Sequence, residues 1–143
     1  MKNYRFLFLS LFVFVFVGCS NSQVTENQVT TVPANQTVKT ELSTNEFEAK
    51  IKADPNATLI DVRTSEEYSQ AHLQNAVNFD WNGNNFASQI ATLDKTKPIY
   101  VYCLSGKRSG AAADKMRADG FIAVYELAGG IKQWQTDDFP VVK

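Results

Sequence analysis

PIYVYCLSGKRS, residues 98–109, joins two kinds of local sequence. Its first part, Pro98–Tyr102, is apolar, β-branched and aromatic, which is typical of a buried strand. The following run, Ala111–Met116, favours a helix. The segment therefore predicts a strand that ends at Cys103, then a short loop, then a helix.

Cys103 stands where backbone amides are expected to converge. The amides of a loop that feeds a helix, the helix dipole, and the charges of Lys107 and Arg108 all favour an anion there. The same field lowers the pKa of a thiol, so we expect Cys103 to be partly or largely thiolate at neutral pH. Gly106 lets the loop backbone curl without a Cβ clash. The pattern predicts a nucleophilic sulfur in a site for small anions.

Composition limits the classes of protein to consider. The 143 residues suit one domain with short appendages, and the net charge of −1 gives no electrostatic case for nucleic acid. Two cysteines and one histidine leave no cluster at the spacing of zinc ligands. We expect neither a metal nor a cofactor.

The N-terminus has the pattern of a processing signal. Lys2 and Arg5 precede the apolar run Phe6–Val17, which is short for a membrane span but suits a signal peptide over residues 1–18. Small residues before Cys19 resemble a bacterial lipobox, so we expect Cys19 to be lipidated and to anchor the chain to a membrane without spanning it. The alternative is a conventionally cleaved signal with an incidental cysteine.

The expected lipoprotein would lie in the cell envelope and face the periplasm or the exterior. Residues 19–40 are rich in Ser, Asn, Gln and Thr, which predicts a flexible tether after the lipidated cysteine. Part of this segment, Val38–Leu42, alternates apolar and polar residues and is alternatively an extra strand. The folded domain is expected to cover residues 41–143.

Strands and helices are predicted to alternate along residues 41–143. Ser43 with Glu46, and Thr64 or Ser65 near Glu67, have the pattern of helix N-caps. Such alternation predicts an α/β fold with a mainly parallel central sheet of about five strands, flanked by helices on both faces. Ligands of these sheets bind beyond the carboxyl ends of the strands, where Cys103 would lie. The predicted strands are 58–62, 76–79, 99–103 and 121–127.

Motifs in a fixed order resemble those of a single-domain rhodanese. They are Asp61-Val62-Arg63 with Glu66-Glu67-Tyr68 after it, the segment AHLQNAVN at 71–78, the loop C-x-x-G-x-R-S at 103–109, DGF at 119–121, and LAGGIKQW at 127–134. Asn75 stands where the family often has glycine, and asparagine tolerates left-handed backbone better than most residues. Gly129 and Gly130 are expected to supply turn conformations, and Trp134 to be part of the core.

The resemblance implies a rhodanese-like fold and sulfur transfer. The Cys103 thiolate would take the outer sulfur of a small anionic donor such as thiosulfate and pass it from a persulfide to cyanide or a thiol. Asp61 and Arg63 would be structural, forming hydrogen bonds or an ion pair, with Glu66 or Glu67 as a further partner of Arg63. The loop residues expected to hold or attract the anionic substrate are Leu104, Ser105, Gly106, Lys107, Arg108 and Ser109.

Three alternatives compete with this interpretation. Four residues lie between Cys103 and Arg108, one fewer than in the loop of cysteine-dependent phosphatases and arsenate reductases, which disfavours a tetrahedral phosphoester. A Cys-His protease would need His72 beside Cys103, and the resemblance instead gives His72 a structural role. A sulfur-carrier or binding module without turnover is also consistent with the motifs, although an intact cysteine loop favours an enzyme.

Overall fold

The computed structural model describes residues 40–143 of the chain, in which five strands alternate with five helices. The α/β class and the parallel sheet are confirmed, whereas the signal peptide, Cys19 and most of the tether lie outside the described residues. No helix within residues 40–143 has the length and apolarity to cross a membrane. The elements are β1 Glu41–Leu42, α1 Thr44–Ala53, β2 Thr58–Asp61, α2 Ser65–Gln70, β3 Val77–Asn78, α3 Phe86–Ile90, β4 Ile99–Tyr102, α4 Lys107–Ala118, β5 Val124–Leu127 and α5 Gly130–Thr136.

The sheet has the strand order β1-β5-β4-β2-β3, and every neighbouring pair is parallel. The alternative of an extra strand at Val38–Leu42 is confirmed for its last two residues, Glu41–Leu42, which pair with β5 at one edge. Parallel pairing brings the carboxyl ends of all these strands to one side of the sheet. That side carries the loop after β4, which begins at Cys103.

The sequence of β4 is continuously apolar because both faces of the strand are buried. Ile99 and Val101 belong to one buried cluster, together with Met116 of α4. Tyr100 and Tyr102 belong to the cluster on the other face, where the ring of Phe47 packs edge-on against Tyr100 at 5.6 Å. Because helices cover both faces, no position of β4 reaches solvent, and the alternating pattern of a half-exposed strand is absent.

Two helices begin with capping boxes. The Ser43 side chain accepts the Glu46 amide and the Glu46 carboxylate accepts the Ser43 amide, which confirms the first predicted cap. For α2 the cap is Thr64, whose Oγ1 accepts the Glu67 amide at 3.2 Å while Oε2 of Glu67 accepts the Thr64 amide at 3.1 Å. The second box fixes the position of the Glu67 carboxylate.

β5 begins later than predicted. Residues 121–123 were expected in the strand, but the Phe121 amide donates to the Met116 carbonyl at 3.1 Å and so completes the end of α4. Gly120 adopts a φ of 93°, a conformation that suits a helix C-terminus, and Ile122 is 74% exposed. Because Phe121 completes the end of α4, β5 begins only at Val124.

Candidate active site

Cys103 lies at the carboxyl end of β4, immediately before the loop that opens α4. The loop turns at Gly106, which has a φ of 98° and whose amide donates to Sγ of Cys103 at 3.2 Å. The hydroxyl of Ser109, in the first turn of α4, lies 3.5 Å from the same sulfur. Donors from the loop and from the helix therefore meet at Sγ.

Opposing effects act on the pKa of the Cys103 thiol. Burial, the largest single effect, raises it, since the residue is only 1% exposed. Hydrogen bonds from the Ser109 hydroxyl and from the amides of Ser109, Ser105 and Gly106 act in the other direction, and together they bring the pKa below its usual value. The site therefore favours a thiolate that is stabilised by hydrogen bonds and shielded from water.

The loop is held from behind by the start of α5. The carbonyl of Cys103 accepts the Ile131 amide at 2.9 Å, and the carbonyl of Leu104 accepts the Lys132 amide at 3.1 Å. Gly130 makes this approach possible, because a Cβ on it would lie 2.4 Å from the Cys103 carbonyl oxygen. These two hydrogen bonds fix the backbone at Cys103 and Leu104, directly before the residues whose amides face the sulfur. The sequence marked Gly130 as a turn residue but not as a neighbour of Cys103.

The two cations of the loop have different surroundings. Nη1 and Nη2 of Arg108 donate to Oε2 and Oε1 of Glu67 at 2.6 and 2.7 Å. The hydrogen bond from Arg108 is the main cause that lowers the pKa of Glu67 to about 2. Lys107 is exposed and forms no ion pair within residues 40–143. Arg108, expected to attract substrate as a free cation, is thus already paired with a carboxylate.

Asp61 and Arg63 form a buried ion pair at the carboxyl end of β2. Nε of Arg63 donates to Asp61 at 2.9 Å, and its Nη2 donates to the carbonyl of Ala71 at 2.6 Å. Asp61 supplies the carboxylate that is hydrogen-bonded to Arg63. Of the two further partners expected, Glu67 acts on Arg63 through its charge while it accepts hydrogen bonds from Arg108. Since a buried charge requires a close partner, the pair ties the loop after β2 to the end of α2.

Residues 43–137 match the rhodanese-like domain family. The chain belongs to the rhodanese-like family. Of its curated relatives, the putative sulfur carrier protein YrkF of Bacillus subtilis is 32% identical over 94 residues, which are 66% of this chain and 50% of that protein. The thiosulfate sulfurtransferase GlpE of Coxiella burnetii is 35% identical over 77 residues, 54% of this chain and 70% of that protein. The chain thus spans half the length of YrkF.

Solved structures of rhodanese-like proteins share the fold. The rhodanese-related protein of Thermoplasma volcanium superimposes with a TM-score of 0.63 at 26% identity, covering 71% of this chain and 96% of its own. The rhodanese-like domain protein of Staphylococcus aureus gives 0.58 at 26% identity, covering 66% and 89%. Family membership therefore rests on both sequence and backbone.

His72 has structural contacts in this rhodanese-like domain. Its ring stacks on Tyr68 with 3.8 Å between centroids, and Nδ1 lies 3.0 Å from the Tyr68 carbonyl. Its backbone pairs with Val142. Asn75, nearby, has a φ of 65°, in the left-handed region that asparagine tolerates better than most residues. The hydrogen bonds to Sγ come instead from the loop and from Ser109.

Other predicted positions can be placed in the structure. Leu104 is 46% exposed, so an apolar side chain stands beside the cysteine at the surface. Trp134 is 4% exposed, in agreement with its predicted place in the core. Within the described part of the chain no group of three Cys, His, Asp or Glu side chains could hold a metal ion.

Replacing Ser109 by alanine is expected to raise the pKa of the Cys103 thiol, because one hydrogen bond to the thiolate is lost. The rate of alkylation by iodoacetamide would then reach its plateau at higher pH than in the wild type, since only the thiolate reacts. Ser105→Ala is the matched control, because that exposed side chain forms no hydrogen bond within residues 40–143. Equal midpoints for Ser109→Ala and the wild type would contradict the role given to the hydroxyl.

Proposed function

We propose that this rhodanese-like domain is a sulfurtransferase. It moves a sulfane sulfur from an anionic donor such as thiosulfate to a thiophilic acceptor, cyanide or a thiol, through a persulfide on Cys103. The observation that carries the proposal is the position of Sγ, 3.2 Å from the Gly106 amide and 3.5 Å from the Ser109 hydroxyl, in a loop that lowers the thiol pKa. The sulfurtransferase and sulfur carrier names of relatives support it.

The reaction has two displacement steps. The Cys103 thiolate attacks the outer sulfur of thiosulfate, a new S–S bond forms, and the old S–S bond breaks as sulfite leaves with its electron pair. An acceptor nucleophile then attacks the outer sulfur of the persulfide, which returns Cys103 to its thiolate. Cyanide becomes thiocyanate, and a thiolate becomes a persulfide. The total charge is the same on both sides of each step.

The loop amides would stabilise the negatively charged sulfur in both steps of this cycle. The negative charge lies on Sγ before the first step and on the outer sulfur after it, so fixed donors in the loop can stabilise both states. No proton needs to be removed from the nucleophile once the thiolate is formed, so the attack on the donor requires no general base. Catalysis would depend on electrostatic stabilisation and on placement of the donor.

Intact-mass analysis tests the proposal. Incubation with thiosulfate is expected to add one sulfur atom, about 32 Da, to the domain, and subsequent cyanide to remove it as thiocyanate. Failure of the wild-type protein to gain sulfur or to form thiocyanate would overturn the enzyme proposal.

A sulfur carrier without turnover is the second candidate, supported by the similarity to the putative sulfur carrier YrkF. The two functions differ in stoichiometry. An enzyme makes many thiocyanate molecules per protein chain when thiosulfate and cyanide are both in excess. A carrier would load once and would transfer to neither small acceptor at a useful rate. Thiocyanate yield per chain, measured over time, separates them.

We also propose that Cys19 is lipidated after removal of residues 1–18, which places the domain at the cell envelope. The support is the sequence around Cys19 alone. In the full-length protein expressed in bacteria, globomycin is expected to slow migration in a gel by blocking removal of the signal peptide. Cys19→Ala should abolish this sensitivity, whereas Cys103→Ala should retain it. Globomycin sensitivity in Cys19→Ala would contradict lipidation.

A further inference from the structure

An ion pair joins the cysteine loop to a distant part of the chain. Arg108 of α4 and Glu67 of α2 are separated by 41 residues and form two hydrogen bonds of 2.6 and 2.7 Å. Both side chains are largely shielded, with 22% and 29% of their surface exposed. We refer to these two residues as the Arg108–Glu67 pair. The geometry is bidentate, the arrangement in which arginine binds a carboxylate most specifically.

The formal charges around Cys103 nearly cancel because of this pair. Asp61 neutralises Arg63, and Glu67 neutralises Arg108. Lys107 is therefore the cation of the loop that is left without a carboxylate among the described residues. Arg108 directly precedes Ser109, whose hydroxyl lies 3.5 Å from the Cys103 sulfur, so the pair joins the chain next to the reacting atom. The site would therefore attract anions through one lysine, the loop amides and the start of α4, and not through two free cations.

We propose that Glu67 is a specificity-determining residue that, by neutralising Arg108, lowers the preference of the Cys103 site for dianionic relative to monoanionic sulfur donors. The proposal rests on the sulfurtransferase function proposed above. Each donor meets a thiolate, so a dianion carries one extra charge into the field of the site. Removing the negative charge of Glu67 leaves Arg108 unpaired and stabilises the dianion more than the monoanion. For one unit charge near a protein surface, the expected change in the ratio of the two donors' rates is about three- to tenfold.

Two donors that form the same persulfide but differ by one negative charge can measure this effect. Thiosulfate carries two negative charges, and its reaction with the thiolate yields the persulfide and a sulfite dianion. Methanethiosulfonate carries one, and its reaction yields the same persulfide and methanesulfinate. In each case the S–S bond of the donor breaks with its electron pair on the leaving group. The quantity to measure is the ratio of kcat/KM for thiosulfate to kcat/KM for methanethiosulfonate.

Glu67→Gln is the decisive variant, because glutamine at this position preserves the capping box of α2 while it removes the charge. The ratio is expected to rise about three- to tenfold at low salt, and the difference from the wild type should shrink as salt screens the freed arginine. Glu66→Gln is the matched control, since that neighbouring carboxylate is exposed and forms no side-chain hydrogen bond within residues 40–143. Its ratio should equal that of the wild type.

Other variants separate charge from shape. Glu67→Asp keeps the carboxylate, so the ratio should stay near the wild-type value even if both rates fall. Arg108→Gln leaves Glu67 unpaired and should lower the ratio, and it carries the test if Glu67→Gln does not fold. An unchanged ratio in a folded Glu67→Gln or Arg108→Gln variant, with both donors lowered alike, would overturn the role of Glu67. Wild-type protein that accepts sulfur from neither donor would overturn the proposed function itself.

Discussion

Cys103→Ser is expected to reduce sulfur transfer from thiosulfate to cyanide by a factor of about 10³ or more. The loop amide of Gly106 would still face the side chain, but a serine hydroxyl has no accessible anion near neutral pH and forms no persulfide. Serine is close in size to cysteine, so the buried position at the end of β4 should tolerate it. The loss should therefore fall on the chemistry and not on the fold.

Thiocyanate formation and intact mass measure this loss together. The Cys103→Ser variant should neither release thiocyanate nor gain a sulfur atom after incubation with thiosulfate. Its circular dichroism spectrum and thermal transition should remain close to those of the wild type. A sulfur atom retained by the folded variant would place the acceptor site elsewhere and would contradict a persulfide on Cys103.

Gly130→Ala is expected to give the largest loss of stability, about 3 kcal/mol. The added Cβ would lie 2.4 Å from the Cys103 carbonyl oxygen and 2.6 Å from the carbonyl carbon and oxygen of Leu104. These are backbone atoms, so no side chain can rotate to make room. The two hydrogen bonds that α5 donates to the loop would be broken, and the φ of 62° would strain alanine further.

Gly120→Ala separates steric overlap from backbone strain. Gly120 has a φ of 93°, but a Cβ on it would meet no atom within 4 Å. The Gly120→Ala variant should lose only about 1 kcal/mol in the free energy of unfolding, measured by urea denaturation. The Gly130→Ala variant should also lose sulfur transfer in its folded fraction, because the amides of the loop are displaced from Sγ. Similar losses of stability in the two variants would contradict the close packing of α5 against the loop.

Most of the fold could be predicted from local sequence. The apolar run before Cys103 indicates a strand buried on both faces, and the capping patterns at Ser43 and Thr64 mark where two helices begin. The position of Cys103 at the carboxyl end of its strand also follows from that run. The predicted start of β5 was wrong because a strand-like residue, Phe121, is needed to complete the end of α4.

Contacts between distant segments could not be predicted in the same way. Nothing local to Glu67 distinguishes it from Glu66, since both are acidic residues in the first turn of α2. Only the ion pair in the folded chain shows that Glu67 reaches Arg108. The approach of Gly130 to Cys103 likewise depends on where α5 begins relative to β4. A motif therefore identified the loop, whereas tertiary structure revealed what holds and neutralises it.

The burial of Cys103 has a consequence for which sulfur an acceptor meets. With only 1% of the residue exposed, another protein's thiol has little access to Sγ itself, and two copies are not expected to cross-link through it. A persulfide extends the side chain by about 2 Å, the length of one S–S bond. Because Sγ is covered, an acceptor is expected to meet the outer sulfur before the inner one. Attack is directed at the transferable atom, which disfavours the mixed disulfide that would release hydrogen sulfide and trap the protein.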